Sequence, residues 1–281
     1  MVPAVHVPPA PHYVWSPCCD EDPSMQYRTI EDAKTLTGTR LILTAGVPGP
    51  WGEAAKAVFK ARQVVYTPIA QELGGSNDAQ VAWLGIRNAP VALHNNEQPR
   101  GGWAEILFLA ERIGKGPSLI PADAAERTLM LGLAHEVAGE NGLGWTRRLM
   151  LVHGPIQEGP SSPAYNFSKF FGDSYGYNPA AGDAAVQRTI DILSMLSAQI
   201  ERQKAAGKAY LVGNALSAVD LYWATFANLI DPLPHELCPM NADFRQLYSS
   251  SPPAVRAAAS PALLAHRDFI CKSVVGLPFE F

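Results

Sequence analysis

The sequence predicts an α/β unit followed by an all-helical half. Apolar runs of strand type stop at residue 93, helical spacing governs everything after Lys115, and 281 residues suffice for about two domains of ordinary size. Residues 1–39 read as an extension, because six prolines fall within the first 23 positions and the only helical signal is a capping-box start at Thr29-Ile30-Glu31-Asp32 that ends by Gly38.

The α/β unit spans 40–114. Leu41-Ile42-Leu43-Thr44 is a short buried-strand run, broken by Gly46-Val47-Pro48-Gly49-Pro50. A helix over 51–59 carries Ala54, Ala55, Val58 and Phe59 on its apolar face, and Gln63-Val64-Val65-Tyr66 returns to strand character, giving a βαβ unit with a parallel strand pair. Asn77 or Asp78 caps a second helix over 79–84. Ala89-Pro90-Val91-Ala92-Leu93 is the next strand, with its proline at the entrance where no ladder donor is needed. After a turn at 95–99, with room for a vestigial strand, residues 103–113 form a helix stopped by Gly114. The order is β-α-β-α-β-(β)-α.

The second half, 115–281, opens with Asp123 and Glu126 capping a long helix towards Val152, interrupted near Gly142 or Gly144. A helix from about Asp183 to Ala206 presents Val186, Ile190, Leu193, Leu196 and Ile200 on one stripe. Ser217-Ala218-Val219-Asp220 is a capping box with Leu216 and Leu221 as its hydrophobic staple, opening an apolar helix to Ile230 before Pro232. A helical patch at 262–273 closes the chain. Residues 153–182, rich in Gly and Pro, carry six aromatics including Phe170, Phe171 and Tyr175, and read as a long loop lidding an apolar cleft.

Composition excludes several functions. With 22 Lys+Arg against 26 Asp+Glu, a net charge of -4 offers no basic face to nucleic acid. No apolar run reaches the roughly 18–20 residues of a membrane span, and the start of the chain, broken by Pro3, Pro8, Pro9 and Pro11, lacks the basic region of a signal peptide. Cys18, Cys19, Cys238 and Cys271 form no CxxC, so a cytoplasmic protein without a disulfide framework is expected. His6, His12, Cys18 and Cys19 match no zinc spacing. The glycine-rich 46–53 segment lacks the ending of a phosphate loop, and His135-Glu136 lacks the second His of a zinc helix.

The order of elements, together with Gly49-Pro50-Trp51 at a helix start, Ala89-Pro90 before a strand, Leu109-Ala110-Glu111 and the Ser217 to Asp220 box, resembles the cytosolic glutathione transferase superfamily. The resemblance covers roughly residues 40–281. It implies a thioredoxin-like domain followed by an all-helical domain, a homodimer, a cis bond before Pro90, and glutathione as cosubstrate. The backbone of Ala89 would meet its cysteinyl part. Gly49, Trp51, Ala89, Pro90, Arg100, Gly101 and Gly102 match the glutathione-binding positions, while Glu136, Glu140, Trp145, Phe170 and Phe171 fall where the electrophile would lie.

Two departures stand out. The family usually places Ser, Cys or Tyr at the position of Gly49, and a Glu/Gln-Ser pair at Gly101-Gly102. No side chain therefore contacts the sulfur, although a helix N-terminus contributes up to about 2 kcal/mol, or about 1.5 pKa units, to thiolate formation. Arg100 or Gln98 would have to take the γ-glutamyl carboxylate. The expected function is glutathione-dependent conjugation or cleavage of a small hydrophobic or aromatic electrophile. The alternatives are a non-catalytic relative that binds an apolar metabolite or a protein, and a lyase or isomerase.

Overall fold

Alternation along Thr39–Thr44 (β1) places Leu41 and Leu43 on one face of a small sheet and Ile42 on the other, all buried. The computed structural model describes residues 25–281, and in it β1 is the central strand, pairing in parallel with Thr67–Gln71 (β2) and antiparallel with Val91–His94 (β3). The vestigial fourth strand is a single antiparallel bridge between Ala92 and Arg100. The six-residue helix Ile30–Thr35 (α1) is opened by Thr29, whose hydroxyl accepts the Asp32 N–H at 3.1 Å. It lies over the Ile42 face, where Ala33, Ile42, Ile69, Val91 and Leu93 make one core with Trp83 and Leu84 of Asp78–Leu84 (α3).

The other face of the sheet packs on Pro50–Ala61 (α2) and Trp103–Ile113 (α4), and this core is continuous with that of the helical half. There Ala124–Ala138 (α5), Leu143–Glu158 (α6), Tyr165–Ser174 (α7), Pro179–Ala205 (α8) and Ala218–Phe226 (α9) are followed by Ala242–Ser249 (α10), Pro253–Ala258 (α11) and Pro261–Ile270 (α12). Every residue of α9 is buried; Trp223 alone contributes about 2–3 kcal/mol of apolar transfer on folding. Asp220 organises the surrounding turn. Its carboxylate accepts the Ser217 N–H at 2.9 Å, the Leu211 N–H at 2.8 Å and His266 Nε2 at 2.8 Å.

Several sequence expectations are corrected. The second strand is not 63–66 but Thr67–Gln71, because Gln63 turns the chain after α2 in the left-handed region at φ 55 and leaves Val65 90% exposed. Pro68 is accommodated because β2 lies at the sheet edge. The third strand starts at Val91, one residue beyond the cis Ala89–Pro90 bond. The interruption expected near Gly142 or Gly144 is present as the turn at 139–142, which divides segment 123–152 into two helices. Residues 153–182 are not a loop: α6 runs on through Pro155 to Glu158, α7 follows, and α8 begins at Pro179, because the glycines and prolines mostly sit at helix ends. Gly159 and Gly176 take positive φ at two such ends. His6, His12, Cys18 and Cys19 lie outside the described residues; among the described residues no cluster of metal ligands occurs, and no helix is long and apolar enough to cross a membrane.

Candidate functional site

The N-terminus of α2 is bare by sequence. Its N-cap is Gly49 and its first residue is Pro50, so neither a capping side chain nor a proline N–H occupies the first turn, and the N–H groups of Trp51 and Gly52 face outward without a side-chain cap. Gly49 has φ -63 and ψ 121, and a Cβ built on it would meet no atom within 4 Å. This end of α2 opens onto a cavity of about 380 Å³ between the α/β unit and the helical half.

Its walls come from elements whose periodicity points them inward. On α6, Arg148, Leu151, Val152 and Pro155 recur at helical spacing, and α7 with its C-cap Tyr175 contributes Phe167, Phe170, Phe171 and Ser174 along one stripe. Phe244 and Tyr248 of α10 close the far side, and Gly49, Trp51 and Ala89 form the α/β side. The rings form a series, Phe167 stacked on Phe171 at 5.7 Å and Phe171 tilted against Tyr175 at 4.8 Å between centroids.

Trp51 is fixed from three sides. Its indole N–H donates to the Ala138 carbonyl at 2.8 Å, its ring meets Phe226 edge-on at 4.7 Å, and the guanidinium of Arg148 covers it at 4.0 Å. Gly144, one turn before Arg148 on α6, lets the indole in, since a Cβ there would stand 2.4 Å from the ring. Tyr248 donates its hydroxyl to the Pro48 carbonyl at 2.9 Å and so pins the loop before α2. Burial pushes the Tyr248 phenol up, against the pull of Arg148. Burial also raises the Glu53 carboxyl, which the Lys56 ammonium 2.8 Å away counteracts.

The structure brings Gly49, Trp51, Ala89, Phe170 and Phe171 to this cavity. Pro90, buried behind Ala89, sets the turn. The other expected residues stand elsewhere. Arg100 is held by Glu97 at 2.9 Å, and the N–H groups of Gly101 and Gly102 donate to the Glu105 carboxylate at 3.1 and 2.8 Å, so these donors at the start of α4 are already in use. Glu136 pairs with Arg188 at 2.6 Å, Glu140 is exposed, and Trp145 stacks edge-on against Tyr175 behind the cavity wall. Arg148, Tyr248 and Phe244 complete the wall. Arg148 belongs to the polar, aromatic helix stretch around Trp145 that the family resemblance turns towards the electrophile, whereas nothing in the sequence singles out Tyr248 or Phe244.

Comparison with solved structures gives the fold. A glutathione S-transferase domain-containing protein of Marinobacter aquaeolei VT8 superposes with a TM-score of 0.56 at 16% identity, over 84% of this chain and 98% of that one. The beta-etherase of Sphingobium sp. strain SYK-6 gives 0.52 at 14% identity, over 83% and 100%. A glutathione S-transferase of Methylobacillus flagellatus KT with glutathione bound gives 0.50 at 11% identity, over 82% and 98%. No protein-family model and no curated protein matches the sequence. The chain thus has the glutathione S-transferase fold, a thioredoxin-like unit followed by a helical domain.

Proposed function

We propose that the chain is a glutathione-dependent transferase acting on small aromatic electrophiles, as a cytoplasmic homodimer with units 40–114 and 115–281. The reading rests chiefly on one juxtaposition: a side-chain-free α2 N-terminus and the Ala89 backbone open into the same cavity as the aromatic wall of α7. The thiol end of glutathione fits there. First-turn N–H groups lower its pKa by about 1–1.5 units through the helix dipole, and the open space at Gly49 admits the sulfur. The thiolate then attacks an electrophilic carbon held by the rings, and the leaving group departs with its electron pair.

The γ-glutamyl end fits less well. Glu105 already caps the N–H groups of Gly101 and Gly102, and its negative charge opposes a second carboxylate at that place. This observation favours a second reading, in which the cavity binds an aromatic metabolite without chemistry. Titration with glutathione, followed by the ultraviolet absorbance of the thiolate, separates the two. A bound thiol with a pKa about one unit below the free value supports the transferase; aromatic binding with no thiolate at any glutathione concentration supports the binding protein.

A further inference from the structure

Arg148 is the charged group in an otherwise aromatic wall. Its guanidinium carbon lies 4.0 Å from the Trp51 ring centre, 4.4 Å from that of Tyr175 and 5.6 Å from that of Phe171. The neighbouring cations are neutralised or anchored: Lys56 pairs with Glu53 at 2.8 Å, and Arg147, one residue earlier, spends its donors on the Leu229 carbonyl at 2.9 Å and the Ser250 hydroxyl at 3.0 Å. Arg148 has neither kind of partner among the described residues. Desolvation by burial lowers its pKa, and the titratable groups facing it are the phenols of Tyr175 and Tyr248. Arg87 also borders the cavity, but at its exposed rim.

A guanidinium over aromatic rings spends none of its N–H donors in hydrogen bonds to them, which leaves those donors for a carboxylate. The cavity then offers two complementary features a short distance apart: a wall of aromatic rings and a cation with no ion-pair partner among the described residues. Arg148 is carried by α6 on the helical side and its guanidinium lies among Trp51, Tyr175 and Phe171, whereas the groups suited to the thiol are the backbone groups of Gly49 and Ala89, so the anion it meets is assigned to the ligand of the aromatic wall.

We infer that the second ligand of this cavity is an aromatic acid, its ring held by Phe167, Phe171 and Tyr175 and its carboxylate paired with Arg148. The inference rests on the reading of the cavity as a second-substrate site, and it names the chemical class of that substrate. It does not depend on glutathione being bound or on turnover.

The test is calorimetric binding of naphthoate and of its neutral amide, naphthamide, to the full-length wild type and to Arg148→Gln, Arg148→Lys and Arg87→Gln, each first checked for an unchanged thermal unfolding profile. A charge-assisted contact predicts that the wild type binds the acid about 10- to 100-fold tighter than the amide. Arg148→Gln should bring the two affinities together, Arg148→Lys should retain part of the preference, and Arg87→Gln should leave it within about twofold. Equal wild-type affinities overturn the inference, as does a preference that survives Arg148→Gln or is lost in Arg87→Gln. A parallel glutathione titration keeps the two proposals apart. A thiolate that forms normally while acid and amide bind alike sinks the aromatic-acid assignment alone; a strong acid preference with no thiolate sinks the transferase alone. If Arg148→Gln raises the bound thiol pKa and leaves the acid preference intact, the guanidinium serves the sulfur and the assignment is wrong.

Discussion

Introducing a hydroxyl at Gly49 is the most direct perturbation of the proposed chemistry. The backbone there suits any residue, and a Cβ has no neighbour within 4 Å, so Gly49→Ser meets no steric cost. As an N-cap, serine improves on glycine by only a few tenths of a kcal/mol, and stability should hardly change. With glutathione bound, its hydroxyl can donate to the thiolate. Such a bond is worth about 1.5–3 kcal/mol, or about 1–2 pKa units, less whatever is lost when the hydroxyl turns from the helix to the sulfur. Taking one unit, from about 7 to about 6, the thiolate fraction at pH 6 rises from roughly a tenth to a half, while nucleophilicity falls about threefold. Turnover should therefore gain about twofold at pH 6 and lose about threefold at pH 8. The assay is the pH profile of kcat/KM with an aromatic electrophile, read for the position of its acid limb. If the serine protein folds, binds glutathione and keeps the wild-type limb, the thiol does not sit at the start of α2.

Four further outcomes follow from the geometry. Asp220→Ala strands the N–H groups of Leu211 and Ser217 together with His266, so denaturant unfolding should show a loss of about 3–5 kcal/mol, well above an ordinary cap; a loss under 1 kcal/mol would refute this account of the turn. Gly144→Ala drives a methyl into Trp51 and Phe226, and should cost about 1–3 kcal/mol and shift the tryptophan emission, whereas an unmoved spectrum would mean that the indole is placed otherwise. Glu105→Ala frees the N–H groups of Gly101 and Gly102, so glutathione should bind up to about tenfold tighter by calorimetry, and weaker binding would make Glu105 part of the site. Burial pushes the thiols of Cys238 and Cys271 up to about 12 from an ordinary 9.0. Their neutral forms are favoured by the fold, so stability is intact below pH 9 and falls between pH 9 and 12, by up to about 1.4 kcal/mol per unit for each thiol; Cys271→Ala should flatten that slope, and an equally steep slope would exclude its thiol as a source.

The parts of the fold that follow from strong local rules were legible in the sequence: β1 from its apolar run, α4 from its glycine borders, and the turn before α9 from Ser217 and Asp220. Where two rules competed, reading failed. Val64, Val65 and Tyr66 have strand propensity, yet the reversal at Gln63 that ends α2 displaces the strand to a segment containing proline. Composition misled at 153–182, because glycines and prolines count as loop formers unless their places at helix ends are known. The site divided in the same way. Gly49 and Ala89 were found from a local motif, but Arg147 and Arg148 are adjacent and chemically identical, and only a rotation of about 100° per residue about the α6 axis sends one to structural carbonyls and the other into the cavity. Arg100 and Gly101-Gly102 read as open donors because nothing in their spacing reveals that Glu97 and Glu105 already hold them.

The indole of Trp51 belongs to the first half of the chain, but its hydrogen-bond acceptor is Ala138 and its packing partners are Gly144, Arg148 and Phe226. Tyr248 makes the reciprocal connection, reaching back to Pro48. The cavity is therefore a property of the joined chain. Severed after residue 114, the α/β half would present a bare tryptophan where the second wall had been. Melting of the seam would abolish ligand binding and change tryptophan emission in a single step, so the site is its own reporter of whether the two halves are docked.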